Sequence, residues 1–190
     1  MSLFIRTIEE LEQFQEAYEQ GKLKISGSDP VPIVALREFT PRPRDKGGLS
    51  LFEVSDKADA LRVAGAASLL AQDLGKKRTM FLAAGRAAVE ALSLKLAKSS
   101  GTLKHPYVDD KHWEADVANH HDACQLARLF LQGEIFVYEG RDVANEARRA
   151  IRVNDFDFLK LAEGGPGSPA GKHLLAFVRE RVARVEGIPV

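Results

Sequence analysis

The stretch Leu129–Gly140, LFLQGEIFVYEG, decides how the chain is read. Its first residues continue an apolar helix. Its last, EIFVYE, are β-branched and aromatic residues bounded by glycine, which is how a strand reads. Gln132-Gly133-Glu134 marks the join, with two polar side chains flanking a glycine where a strand enters a core. A helix running directly into a strand, without the regular alternation of βαβ units, points to an α+β fold with a small mixed or antiparallel sheet and flanking helices.

The same alternation extends in both directions. Upstream, LFIRT is a strand over Leu3–Arg6. Thr7 is then expected to cap a helix, with Glu10 three residues later as its capping partner. Ile8, Leu11, Phe14 and Tyr18 recur at helical spacing, and Gly21 ends the helix as a left-handed cap. KLKIS reads as a short strand. VPIVALREF, Val31–Phe39, reads as another because it is rich in β-branched and apolar residues. LSLFEV, Leu49–Val54, is a strand with Leu49 and Leu51 on one face and Ser50, Phe52 and Val54 on the other. Ser55 suits the N-cap of a helix that stops at Gly75, whose alanines and Gly65 leave a thin face for close packing on a sheet.

KKRTMFLAA fits a strand or a helix start equally. GRAAVEAL is helical, and SLKLAKS alternates like a strand. A long helix is expected from about Asp110 to Leu131, with Trp113, Val117, Cys124, Ala127 and Leu131 along one side. RDVANEARRAI is helical. These readings give a core domain over residues 1–163, a Gly/Pro hinge over 164–171 and a C-terminal helix over 172–190. The apolar stripe of that last helix needs a cover, so it is expected to dimerise or to bind a partner.

Bulk properties narrow the function classes. Lys+Arg and Asp+Glu are both 27, so the net charge argues against broad nucleic-acid or anionic-membrane binding. The hydrophobic share of 45% and charged share of 28% are those of a globular domain. Cys124 is the only cysteine. It allows no internal disulfide or cysteine-rich zinc site, and it fits a reducing compartment. The opening MSLFIRTIEELEQF has no basic segment followed by an apolar core. No secretory leader is expected, and a cytoplasmic location is.

Three groupings carry candidate chemistry. The first combines Arg6 on the first strand, Ser50 on the GLSLF strand and the Gln132/Glu134 pair. This order of elements resembles the ADP-ribosyltransferase fold in its Arg–Ser–Glu class, over roughly the first ~150 residues. The resemblance implies NAD as co-substrate. Arg6 would hold the NAD phosphates and Ser50 would shape the nicotinamide-ribose site. Glu134 would be the catalytic carboxylate and Gln132 would orient the acceptor. Chemically, breaking the nicotinamide–ribose bond builds positive charge on the sugar, which a preorganised carboxylate stabilises. The chain departs from the family's Ser-Thr-Ser on the middle strand, having Ser50-Leu51-Phe52.

The second grouping is His112, Asp116 and His120, at i, i+4 and i+8 on one face of the expected long helix. Two helical turns span about 12 Å, so one ion would need two of them plus His105 or His173. The third is the loop FTPRPRDKGG, where Arg42, Arg44 and Lys46 beside Gly47-Gly48 suit a phosphate or an acidic partner. In the ADP-ribosyltransferase reading, Arg42 and Arg44 flank the cofactor cleft. The rival reading is a non-catalytic protein-binding module, of the immunity or accessory kind, with this loop as its contact surface. The enzyme reading requires Arg6, Ser50 and Glu134 to line one cleft, whereas the binding reading lets them scatter. Cys124 reads as core packing.

Overall fold

The computed structural model describes residues 2–9, 11–42, 48–71, 78–99 and 106–153. The expected hinge and C-terminal helix, Glu10, Arg44, Lys46, Gly47, Gly75, His105 and His173 lie outside them. In chain order the elements are β1 (Leu3–Thr7), α1 (Leu11–Glu19), α2 (Ile33–Phe39), β2 (Gly48–Val54), α3 (Lys57–Ala71), β3 (Arg78–Gly85), α4 (Arg86–Glu90), β4 (Leu96–Lys98), α5 (Pro106–Asp110), β5 (His112–Asp116), α6 (His120–Leu131), β6 (Glu134–Glu139) and α7 (Gly140–Val153). The strands form one six-stranded sheet in the order β4-β5-β2-β1-β3-β6. The pairs β1–β2, β1–β3, β2–β5 and β4–β5 are antiparallel. The fold is α+β, as the join at Gln132–Glu134 implies.

The chain divides into two compact units. The first holds β1, α1, α2, β2, β3 from Met80, α4, β4, β5, α6 and β6 as far as Val137. One buried cluster lies on one face of the sheet, and Ile5, Val54, Phe81 and Ala83 are buried on the other. Register puts Phe4 opposite Ala84, Arg6 opposite Leu82, Leu49 opposite Ala115 and Leu51 opposite Trp113. Cross-strand partners share a face, so these side chains point the same way. Phe14 of α1, Ala35 and Phe39 of α2, and Leu126, Ala127 and Phe130 of α6 join them in the buried cluster. Phe39 and Phe130 rings lie 5.1 Å apart. The second unit contains α3, α5, α7 and the outer ends of β3 and β6. There α3 packs closely on α7. A Cβ on Gly65 would come 3.1 Å from the Ala147 backbone nitrogen, so the thin face of α3 at Gly65 meets α7, not a sheet as expected.

Several expectations change. VPIVALREF forms α2, not a strand. Pro32 sits at its N-terminus, where a missing N–H costs nothing, and Ala35 and Phe39 are buried one turn apart. KLKIS is not a strand. Gly21 at φ +70° closes α1, with its N–H donating to Tyr18 O and the Lys22 N–H donating to Ala17 O. Those bonds form a Schellman cap that turns the chain away. Thr7 stays in β1 opposite Phe81, the Ile8 N–H donates to Met80 O at 3.0 Å, and α1 begins at Leu11. Ser55 precedes α3, which begins at Lys57. The segment read as equally strand or helix start is β3.

The expected helix from Asp110 is interrupted. His112–Asp116 pairs with β2 and β4, and α6 starts only at His120. Asn119 caps α6, its side chain accepting from Asp122 N, while Asp122 Oδ2 accepts from Ala118 N. This reciprocal pair satisfies orphan donors at the helix start and ends the strand before it.

Candidate functional site

Gln132 closes α6, its N–H donating to Arg128 O. Gly133 follows because β3 passes directly beneath it: a Cβ there would collide with the Ala83 carbonyl oxygen. The glycine at this corner is therefore required by close backbone approach. Ile135 and Val137 pack against the core cluster. Alternation along β6 turns Glu134 to the opposite face of the sheet. Gln132 and Glu134 are both exposed.

Arg6 is 6% exposed and serves as a tie between elements. Its Nε donates to the Glu38 backbone oxygen of α2 at 3.1 Å, and its Nη1 donates to the Ser50 backbone oxygen at 3.3 Å. Nη2 lies 3.5 Å from Glu9 Oε1. Glu9 also pairs with Arg42, Nη1 to Oε2 at 2.6 Å, and the Glu9 N–H donates to the buried Glu38 carboxylate at 2.9 Å. Arg6 and Arg42 thus belong to one charge-paired corner joining β1, α2 and the chain after it.

The Ser50 side chain projects from the other face, level with Glu114 and diagonal to His112. His112 is 2% exposed. Its Nε2 lies 3.0 Å from Ser50 Oγ and its Nδ1 lies 3.3 Å from the Ser99 carbonyl oxygen. A carbonyl only accepts, so Nδ1 donates to the Ser99 oxygen, while Nε2 and the Ser50 hydroxyl share the second hydrogen bond. The pair links β2, β5 and the end of β4.

Sequence reasoning missed two groups. His112 does not share a helix face with Asp116 and His120, as their spacing implies. His112 and Asp116 lie on β5, where four residues span about 13 Å, and His120 begins α6. Among the described residues no cluster of three or more His, Cys, Asp or Glu could hold a metal ion. The alternation His112-Trp113-Glu114-Ala115 was the signal for a strand, masked by the helix-forming residues after it.

The second missed group centres on Glu53. Its Oε1 accepts from Ser2 Oγ at 2.7 Å and from Arg86 Nη1 at 2.6 Å, and its Oε2 accepts from Trp113 Nε1 at 3.2 Å. Arg86 also donates to Glu90 at 2.6 Å and lies over the Trp113 ring at 5.0 Å. Burial alone would raise the Glu53 pKa. Hydrogen bonds from Ser2 and Arg86, the Arg86 charge and the Trp113 bond outweigh it and hold the carboxyl below its ordinary 4.5. Hydrogen bonds to Glu90 and Glu53 push the Arg86 pKa up. The carboxylate is occupied by donors from three residues, Ser2, Arg86 and Trp113, and has the character of a structural anchor.

A shallow cleft of about 250 Å³ opens beside Gly133. Tyr18, Leu23 and Lys24 line one side, and Leu131, Gly133 and Ile135 the other. Tyr18 is 42% exposed. Cys124 is a half-buried free thiol on α6, beside the buried stripe rather than within it. No helix of the described residues is long and apolar enough to cross a membrane. No protein-family model, no curated protein and no solved structure matches this chain.

Proposed function

We propose that this chain is a non-catalytic protein-binding module, of the immunity or accessory kind, rather than an NAD-using ADP-ribosyltransferase. The observation that carries this reading is the division of the three expected site residues between two faces. Arg6 shares the core face with Leu82, while Ser50 and Glu134 project from the other. A phosphate clamp needs guanidinium donors aimed at the ligand. The Arg6 donors are engaged by Glu38 and Ser50 carbonyls and by Glu9. A carboxylate that stabilises a sugar cation must share a water-poor site with the clamp, and Glu134 is exposed.

Calorimetric titration of the purified chain with NAD, alongside a nicotinamide-release assay, tests the reading. The expected result is neither saturable binding nor release. Nicotinamide release that collapses in Glu134→Gln while NAD still binds would overturn it and restore Glu134 as a transition-state residue.

A further inference from the structure

We infer that the cleft at the start of β6 docks an extended segment of a partner protein, one that carries an apolar anchor residue next to a carboxylate. The inference rests on the protein-binding reading and gives that reading a place and a chemistry.

β6 is the terminal strand in the sheet order. Its inner edge meets β3. Among the described residues, no strand pairs with its outer edge between Glu134 and Val137. Such an edge presents a row of backbone donors and acceptors, a ready template for one more strand from another chain. An added strand would direct alternate side chains to the face of Ile135 and Val137, the face on which the cleft lies. The cleft walls there are apolar, from Leu23, Leu131 and Ile135. The volume of about 250 Å³ suits one or two side chains of a bound segment.

Charge selects the occupant further. Lys24 is the one charged residue on the lining, and its side chain is exposed. Glu134 is turned to the opposite sheet face. An acidic residue flanking the anchor would therefore meet an ammonium at the rim. Tyr18 adds a large, rigid, amphipathic surface, the residue type that interfaces favour at their centre. It is one of two large hydrophobic side chains exposed among the described residues.

The test selects phage-displayed random peptides on the immobilised full chain, then measures their affinities by fluorescence polarisation on wild type, Tyr18→Ala, Lys24→Glu and Arg42→Glu. Melting curves confirm that each variant folds. Selected peptides are expected to share an apolar residue beside Asp or Glu. Their affinity should drop about tenfold or more in Tyr18→Ala and in Lys24→Glu, and they should slow amide exchange over residues 134–137. Peptides lost only in Arg42→Glu would overturn the cleft and keep the binding reading, moving it to the arginine-rich loop. Peptides insensitive to all three substitutions would overturn the cleft alone. Failure to select any peptide would overturn both.

Discussion

The His112 imidazole is enclosed, and each of its nitrogens meets an oxygen from a different part of the sheet. Replacing it with phenylalanine would keep the ring but strand the Ser50 hydroxyl and the Ser99 carbonyl. An unsatisfied buried polar group costs about 1–3 kcal/mol. His112→Phe is therefore expected to lose about 2 kcal/mol in urea unfolding. Adding Ser50→Ala to that variant should cost less than Ser50→Ala does in wild type, because the partner is already gone. Equal costs in both backgrounds would show that the pair is not coupled.

Glu53 makes a pH-dependent contribution whose sign follows from its pKa. The folded value lies below the ordinary 4.5. The network therefore stabilises the fold above that pH and is lost as pH falls through the depressed value. Glu53→Gln should destabilise by roughly 1 kcal/mol at neutral pH, a modest figure because the side chain is partly exposed. The difference from wild type should shrink below pH 4. A difference that stays constant from pH 7 to pH 3 would sink the assignment.

Elements were legible where local chemistry and tertiary pairing agree. β1, β2 and β6 announce themselves by alternation, and α7 by its polar and apolar spacing. Gly21 closes α1 as its cap requires. The α6–β6 corner adds a stricter constraint. Gly133→Ala places a Cβ against the Ala83 carbonyl oxygen, a backbone atom that cannot rotate away. The variant must push β6 off β3, at a cost of about 3 kcal/mol by analogy with overpacked cores. Chemical denaturation gives that number, and a loss within 0.5 kcal/mol of zero, roughly the surface-substitution range, would contradict the contact. The elements α2 and β5 were illegible for one reason: both are short. In α2 the β-branched pair Ile33-Val34 outweighed the signal of Pro32. In β5, five residues between helix-forming neighbours hid the cap at Asn119. Propensity is a weak prior over so few residues, and sheet pairing or packing on Phe130 overrides it.

For the whole molecule, equal counts of acidic and basic residues predict that solubility passes through a minimum near neutral pH and improves on either side. A precipitation profile from pH 5 to 9 measures it, and monotonic behaviour would argue against charge balance as the controlling factor. By itself, the sequence determined the α+β class, the strands β1, β2 and β6 and the polar corner at Gln132–Glu134, because periodicity and caps are properties of neighbouring residues. Tertiary structure alone decided which of those polar residues share a face. Arg6 and Ser50 are set apart by the parity of two strands and the register that joins them. A shift of one residue in that register would reverse every side chain on a strand. Long-range register is a property of the packed sheet, and for that reason His112 and Glu53 gained their partners only when it formed.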